Sequence, residues 1–137
     1  HGWRLSESLN LNINFKQCLA EKTREKDNSY DAVISYAFFH ELPLNAGIKI
    51  INEMFRILKP GGDILIADMP HFKEISLFQS LLLHHETIYH DEPYVTSYCS
   101  TDWKEIFKEI GFINVASKSL YNGPGRFPYI ILGKKPN

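Results

Sequence analysis

Along the chain, short apolar runs alternate with stretches in which apolar residues recur every three or four positions, a pattern that predicts strands and helices in turn. Asn12 to Gln17 sets Ile13 and Phe15 among polar neighbours and predicts a strand. The charged stretch Glu21 to Ser29 follows as a loop closing on Asp27-Asn28-Ser29. Ala32-Val33-Ile34 and Ile64 to Ala67 are continuous apolar runs bounded by polar or turn residues. Such runs predict central parallel strands covered on both faces. Between them Ile48, Ile51, Phe55 and Leu58 fall at helical spacing, with Ile50, Met54 and Ile57 on an adjoining stripe. Lys59-Pro60-Gly61-Gly62 ends that helix, so the unit is a right-handed strand-helix-strand crossover.

Beyond Asp68-Met69-Pro70, Ile75, Phe78 and Leu82 mark a second helical stripe that runs into the polar and aromatic stretch His84 to Tyr98. A further helix is announced by the cap Ser100-Thr101-Asp102, by Trp103, Ile106, Phe107 and Ile110 on one face, and by Gly111 as its stop. Ile113 to Ser117 and Tyr129 to Gly133 predict two last strands, joined through Tyr121 to Gly125 as an antiparallel pair. The sum is an α/β chain.

Composition narrows the class. At 137 residues, 44% hydrophobic and with a formal net charge of −1, the chain carries one core and is expected to form a single domain over 1–137. Near-neutral charge argues against a protein that grips nucleic acid by its phosphates. No apolar stretch reaches the roughly 18 to 20 residues of a membrane span. Cys18 and Cys99 stand far apart and outside any CxxC pattern, so reduced thiols in an intracellular, cytoplasmic setting are expected rather than a zinc cluster or a disulfide scaffold. The chain begins His1-Gly2-Trp3, without an initiating Met or a signal segment, and reads as a piece of something longer.

Three blocks together, Tyr30-Asp31-Ala32-Val33-Ile34-Ser35, Phe39-His40-Glu41-Leu42-Pro43 and Glu53 to Asp68 with Leu58-Lys59-Pro60-Gly61-Gly62 at its centre, resemble class I S-adenosylmethionine-dependent methyltransferases. The match is to that family's fourth and fifth strands and the helix between. The resemblance implies a Rossmann-like sheet, here partial with strands three to seven and a terminal antiparallel hairpin, out of the family order 3-2-1-4-5-7-6. It also implies S-adenosylmethionine as cofactor and methyl transfer to a small-molecule acceptor. The family's first strand, with its glycine-rich loop, and its second strand, which ends in a ribose-binding acid, are missing; no GxGxG occurs anywhere. Where the family places an adenine-binding acid after strand three, this chain has Leu19, leaving Glu21 either to take that task or to stand as a solvated loop residue. Without the first two strands, strand four has an unpaired apolar edge. Completion by a missing N-terminal segment, a partner chain or a second copy is therefore expected.

In open α/β sheets, ligands bind beyond the carboxyl ends of the strands. The resemblance accordingly puts Ser35, Tyr36 and Ala37 beside the cofactor, with Phe38 and His40 toward the acceptor. Phe38 and Phe39 can equally be core aromatics. His40 is the best acid or base candidate, against a structural hydrogen-bonding role at the start of the next helix. Asp68 can face the acceptor mouth or cap the following turn. The run His84 to Glu92 lacks the i, i+4 histidine pair of a helical metal site, so no metal is expected there. It reads instead as a variable lid over the acceptor, with His85, Tyr89 and Tyr94 as lining residues. Arg126, in the last hairpin, is by default a solvated residue. A methyltransferase and a non-catalytic, methyltransferase-like interaction subunit are the two functions weighed. A Rossmann dehydrogenase lacks its fingerprint.

Overall fold

The computed structural model describes residues 2–89, 91–120 and 128–137. Helix α1 (Gly2–Ser8) opens the chain, and the strand-helix-strand unit follows as β1 (Tyr30–Tyr36), α2 (Leu44–Ile57) and β2 (Leu58–Asp68). Then come α3 (Leu77–Tyr89), α4 (Val95–Ser100), α5 (Trp103–Ile110), β3 (Ile113–Ser119) and β4 (Tyr129–Lys134). The sheet order is β1-β2-β4-β3, which is 4-5-7-6 of the family order above. β1 runs parallel to β2, with Val33 opposite Ile64 and Ser35 opposite Ile66, while β4 is antiparallel to both β2 and β3.

The predicted crossover is present because its signals agree. α2 buries Ile50, Ile51 and Ile57, half-buries Met54 and Phe55, and gives way to extended backbone at Leu58. Leu58, counted with the helix by its spacing, is instead the first residue of β2. Gly61 takes a left-handed φ of +73°. A Cβ on Gly62 would lie 2.9 Å from the Lys59 carbonyl oxygen and 3.0 Å from that of Asp31, so the turn needs glycine at both places. α5 starts on the expected cap, with the Glu105 amide donating to Asp102, and stops at Gly111 with φ +114°. Its Trp103 and Phe107 close over the same sheet face as α2, where Val33, Ile64, Ile66 and Ile131 complete the core.

Two strand expectations are corrected. Residues 12–17 form no strand: Ile13 and Phe15 are exposed, and the segment's pairing is limited to one bridge nearby, Leu19 with Lys22. Alternation supplies only half of a strand, and the neighbour strand that would pair with it is not in this sheet. β1 is also not covered on both faces. It lies at the sheet edge, with Tyr30, Ile34 and Tyr36 exposed at 41%, 69% and 62%. The row Ile34, Leu65, Leu132, Ala116 crosses all four strands, and its first three members line an open groove of about 350 Å³ with Ala32 and Asn114.

The segment before β1 is tied to α2 by one carboxylate. Glu53 accepts from the Thr23 amide (2.8 Å) and hydroxyl (2.6 Å) and from both Nε (2.8 Å) and Nη2 (2.7 Å) of Arg56. The guanidinium, aided by Thr23, holds the Glu53 carboxyl at about 2. A carboxyl whose folded value lies below its unfolded one, about 4.3, stabilises the fold above that value and ceases to do so as pH falls toward 2. Glu53→Gln is therefore expected to cost about 1 to 3 kcal/mol near pH 7, in a difference that closes between about pH 5 and pH 2. Denaturant unfolding of both proteins across that range checks it. A constant difference would place the effect elsewhere.

Candidate functional site

At the carboxyl ends of β1 and β2 the chain forms a crest that hangs on one buried acid. After Tyr36 the backbone turns through Ala37, whose φ of +48° lies in the left-handed region that a residue with a Cβ enters at a cost of about 1 to 2 kcal/mol. Its amide donates to the Ala67 carbonyl at 2.9 Å, fastening the turn to β2. Phe39 to Glu41 then make a single 3-10 turn. Asp68, the last residue of β2, is wholly buried beneath that turn. Its Oδ2 accepts from the amides of Phe38 (3.1 Å), Phe39 (2.8 Å) and His40 (3.4 Å), and its Oδ1 from the amide of Met69 (2.8 Å) and from His40 Nδ1 (2.5 Å). A carboxylate only accepts, so the proton of that last bond sits on Nδ1 of the imidazole.

These bonds decide what the crest presents. His40 is 7% exposed, with Nδ1 engaged below and Nε2 lying 3.4 Å from Glu41 Oε1. The imidazole is thus a strut whose one remaining nitrogen looks toward the surface. Phe39 is core: it is 1% exposed and packs edge-on to both Phe38 and Trp103, with ring centroids at 5.9 and 5.8 Å. Phe38 (37%) and Tyr36 (62%) stay on the outside of the crest, whereas Ser35 is buried on the α2 side. Two aromatic rings next to a fixed turn make a surface suited to a cationic, partly apolar ligand.

The floor of the crest comes from α4, which sequence patterning did not isolate as a helix. α4 packs against the 39–41 turn and α3 packs against α4. Tyr98 and Cys99, at 4% and 0% exposure, sit close enough to Asp68 to feel its charge. Burial, reinforced by that charge, pushes the Cys99 thiol up to about 12 and the Tyr98 phenol well above its ordinary range. Both stay protonated, and Cys99 is an inert packing residue. The Trp103 indole donates to the Tyr98 carbonyl at 3.0 Å, joining α5 to this floor. The sequence signal for these residues is slight, since Tyr98 and Cys99 lie in a stretch without clear period.

The remaining predicted residues stand apart. Tyr94 precedes α4 and is 36% exposed. His85 and Tyr89 stack on each other on α3, with centroids at 4.3 Å, and both are exposed. Leu19 is 64% exposed and lines a pocket of about 410 Å³ with Lys16, Gln17, Cys18, Lys22 and Arg24. Glu21 lines a groove against α2 with Lys49, Asn52, Glu53 and Arg56. Neither hollow includes a crest residue, so the crest brings together Ser35, Tyr36, Ala37, Phe38, His40 and Asp68 but not Leu19 or Glu21. Asp68 lies under the crest rather than at its mouth, its oxygens taken up by the five donors above. The described residues include no helix long and apolar enough to cross a membrane.

Known proteins share this fold. Residues 3–62 match the model of a family described as methyltransferase domain. An uncharacterized protein of Haemophilus influenzae is 34% identical over 115 residues, which is 80% of this chain but 42% of that protein. An O-methyltransferase family protein of Burkholderia thailandensis superposes with a TM-score of 0.69 at 17% identity, over 99% of this chain and 40% of that one. Phosphoethanolamine N-methyltransferase 2 of Haemonchus contortus, solved in complex with S-adenosyl-L-methionine, superposes with a TM-score of 0.59 at 16% identity, over 88% of this chain and 36% of that one. The chain thus spans less than half the length of each of these three proteins.

Proposed function

We propose that this chain is a class I methyltransferase-domain protein that supplies the acceptor-side half of an S-adenosylmethionine-dependent methyltransferase acting on a small molecule. The observation that carries the proposal is the crest: a strained turn at the ends of two parallel strands, held from below by a buried carboxylate. In such a sheet this is where ligands bind. S-adenosylmethionine, when bound, supplies an electrophilic methyl group on a sulfonium. Tyr36 and Phe38 offer ring faces to that cation, Ala37 lets the backbone turn close beside it, and Asp68 keeps these groups in one arrangement. Catalysis by such a site is mainly alignment of acceptor and methyl carbon with water excluded. His40 Nε2, the nitrogen that Asp68 leaves free, takes up the proton that the acceptor releases.

The rest of the cofactor site lies, in this reading, on an N-terminal segment that completes the sheet. The exposed β1 edge, the open groove across Ile34, Leu65 and Leu132, and the share of its relatives' length that the chain spans all support it. Leu19 and Glu21 would reach the adenine only in that completed form.

The test is cofactor binding read as thermal stability. Ligand at about 100 times its dissociation constant stabilises a protein by roughly 2.7 kcal/mol. S-adenosylhomocysteine is expected to raise the melting temperature of the chain joined to an N-terminal segment carrying the glycine-rich loop. No shift, in that form or in the chain alone, would leave the non-catalytic interaction subunit as the better reading.

A further inference from the structure

One buried hydroxyl beneath the crest has no partner in the protein. Tyr98 is 4% exposed and belongs to the core with Phe39, Val95 and Trp103. Its ring lies against that of Trp103, with centroids at 5.1 Å and planes tilted by 32°, and its carbonyl accepts from the Trp103 indole at 3.0 Å. The ring is therefore clamped, and with it the direction of the phenol. Yet the phenol oxygen makes no hydrogen bond among the described residues. Tyr129, the other buried tyrosine among them, donates to Ser117 Oγ at 3.0 Å, which is what a buried phenol ordinarily does.

Two further observations say where the hydroxyl opens. Every fully enclosed side-chain nitrogen or oxygen among the described residues has a partner, so the Tyr98 oxygen, with none, touches a space wide enough for water. The phenol also feels the Asp68 charge, although it is not one of the five donors gathered on that carboxylate. Since α4 packs on the 39–41 turn, the hydroxyl opens beside the turn that carries His40, at the carboxyl ends of β1 and β2. Burial, reinforced by the Asp68 charge, keeps the phenol protonated, so it has a proton to donate.

We propose that Tyr98 is an acceptor-binding residue of the methyl-transfer site, its hydroxyl donating to an uncharged oxygen or nitrogen of the small molecule that takes the methyl group. The inference rests on the methyl-transfer reading above and adds a substrate class to it. The fixed Asp68 charge disfavours a second negative charge nearby, so the group taken is a hydroxyl, carbonyl or amine rather than a carboxylate or phosphate. A donor clamped before the ligand arrives makes its bond without the cost of ordering the side chain.

Matched probes test it on the chain joined to an N-terminal segment carrying the glycine-rich loop, with saturating S-adenosylhomocysteine. Benzyl alcohol and benzoate share a ring, suited to Phe38 at the crest, and differ in the charge of the oxygen group. In NMR titrations benzyl alcohol is expected to shift the amides of residues 37–40 and 95–99, and benzoate to bind there at least ~10-fold more weakly. Tyr98→Phe, which keeps the ring and its clamp, should weaken benzyl alcohol about 2- to 10-fold, the contribution of one neutral hydrogen bond. Its denaturant midpoint should not fall, because the hydroxyl has no protein partner to lose. Benzyl alcohol binding that is unchanged in Tyr98→Phe, or absent from the crest, overturns the proposal, since the hydroxyl then serves water alone. Benzoate bound as tightly as benzyl alcohol overturns the substrate class. A lower midpoint in Tyr98→Phe also overturns the proposal, because the hydroxyl is then bonded to the protein itself. If S-adenosylhomocysteine fails to bind while benzyl alcohol still depends on Tyr98, the methyl-transfer reading falls and the hydroxyl contact stands.

Discussion

Asp68→Ala is expected to destabilise the protein by about 3 to 5 kcal/mol, the range for removing one partner of a buried charged network. The substitution strips acceptors from the amides of Phe38, Phe39, His40 and Met69 and from His40 Nδ1 at once, and these groups lie where water does not easily replace a carboxylate. Asp68→Asn keeps one accepting oxygen but turns an NH₂ toward other donors, and should cost roughly 2 to 3 kcal/mol. Chemical denaturation of the three proteins measures both. The residue has a local signature as well: Ala37 holds φ +48° only while the turn after it is anchored. Amide exchange at residues 37–40 should thus rise in Asp68→Asn by more than the loss of global stability explains. A uniform rise over the whole chain would make Asp68 an ordinary core residue.

Phe107→Ala carries the other large expected effect, a loss of about 3 to 5 kcal/mol from a cavity that rigid neighbours cannot fill. The ring is wholly buried and packs on Phe112 with centroids at 5.2 Å. It also lies 3.2 Å from where a Cβ of Gly133 would stand, so it presses directly on the backbone of β4. It is the nail that holds α5 to the sheet. Because Phe107 takes part in none of the crest hydrogen bonds, the crest amides should follow global unfolding in this variant, in contrast to Asp68→Asn. Denaturant midpoint and residue-level exchange, measured on both variants, separate the two roles.

What the sequence made legible followed from how far each signal reaches. The β1-α2-β2 unit, the Asp102 cap and the Gly111 stop are local, each written in residues a few positions apart. The antiparallel last pair was legible for the same reason. Residues 12–17 carry a strand's alternation but no strand, because pairing needs a neighbour that alternation cannot supply. Ala32 and Ile34 have the apolarity of a covered strand and stand at an edge instead. At the site, placing Ser35 to His40 at the ends of two parallel strands needed only the strand directions. That Asp68 lies beneath them was not visible, since its bonds join residues 28 to 30 apart and depend on the crest folding back over β2. Both sequence readings of Asp68, acceptor mouth and local cap, missed this long-range role. His40 was singled out for its chemistry, and the structure gives one of its nitrogens to architecture. The outward stripe of α3 was half seen: Phe78 and Leu82 mark one helical stripe in the sequence, but periodicity reports that a face is apolar and not which way it turns.

The measurement that bears most directly on the crest as the methyl-transfer site is residue-resolved amide exchange of the chain joined to an N-terminal segment with the glycine-rich loop, with and without saturating S-adenosylhomocysteine. Protection concentrated on Ser35 to His40, and weakened in Asp68→Asn, is the predicted result. Binding that protects other segments while leaving the crest unchanged would contradict it.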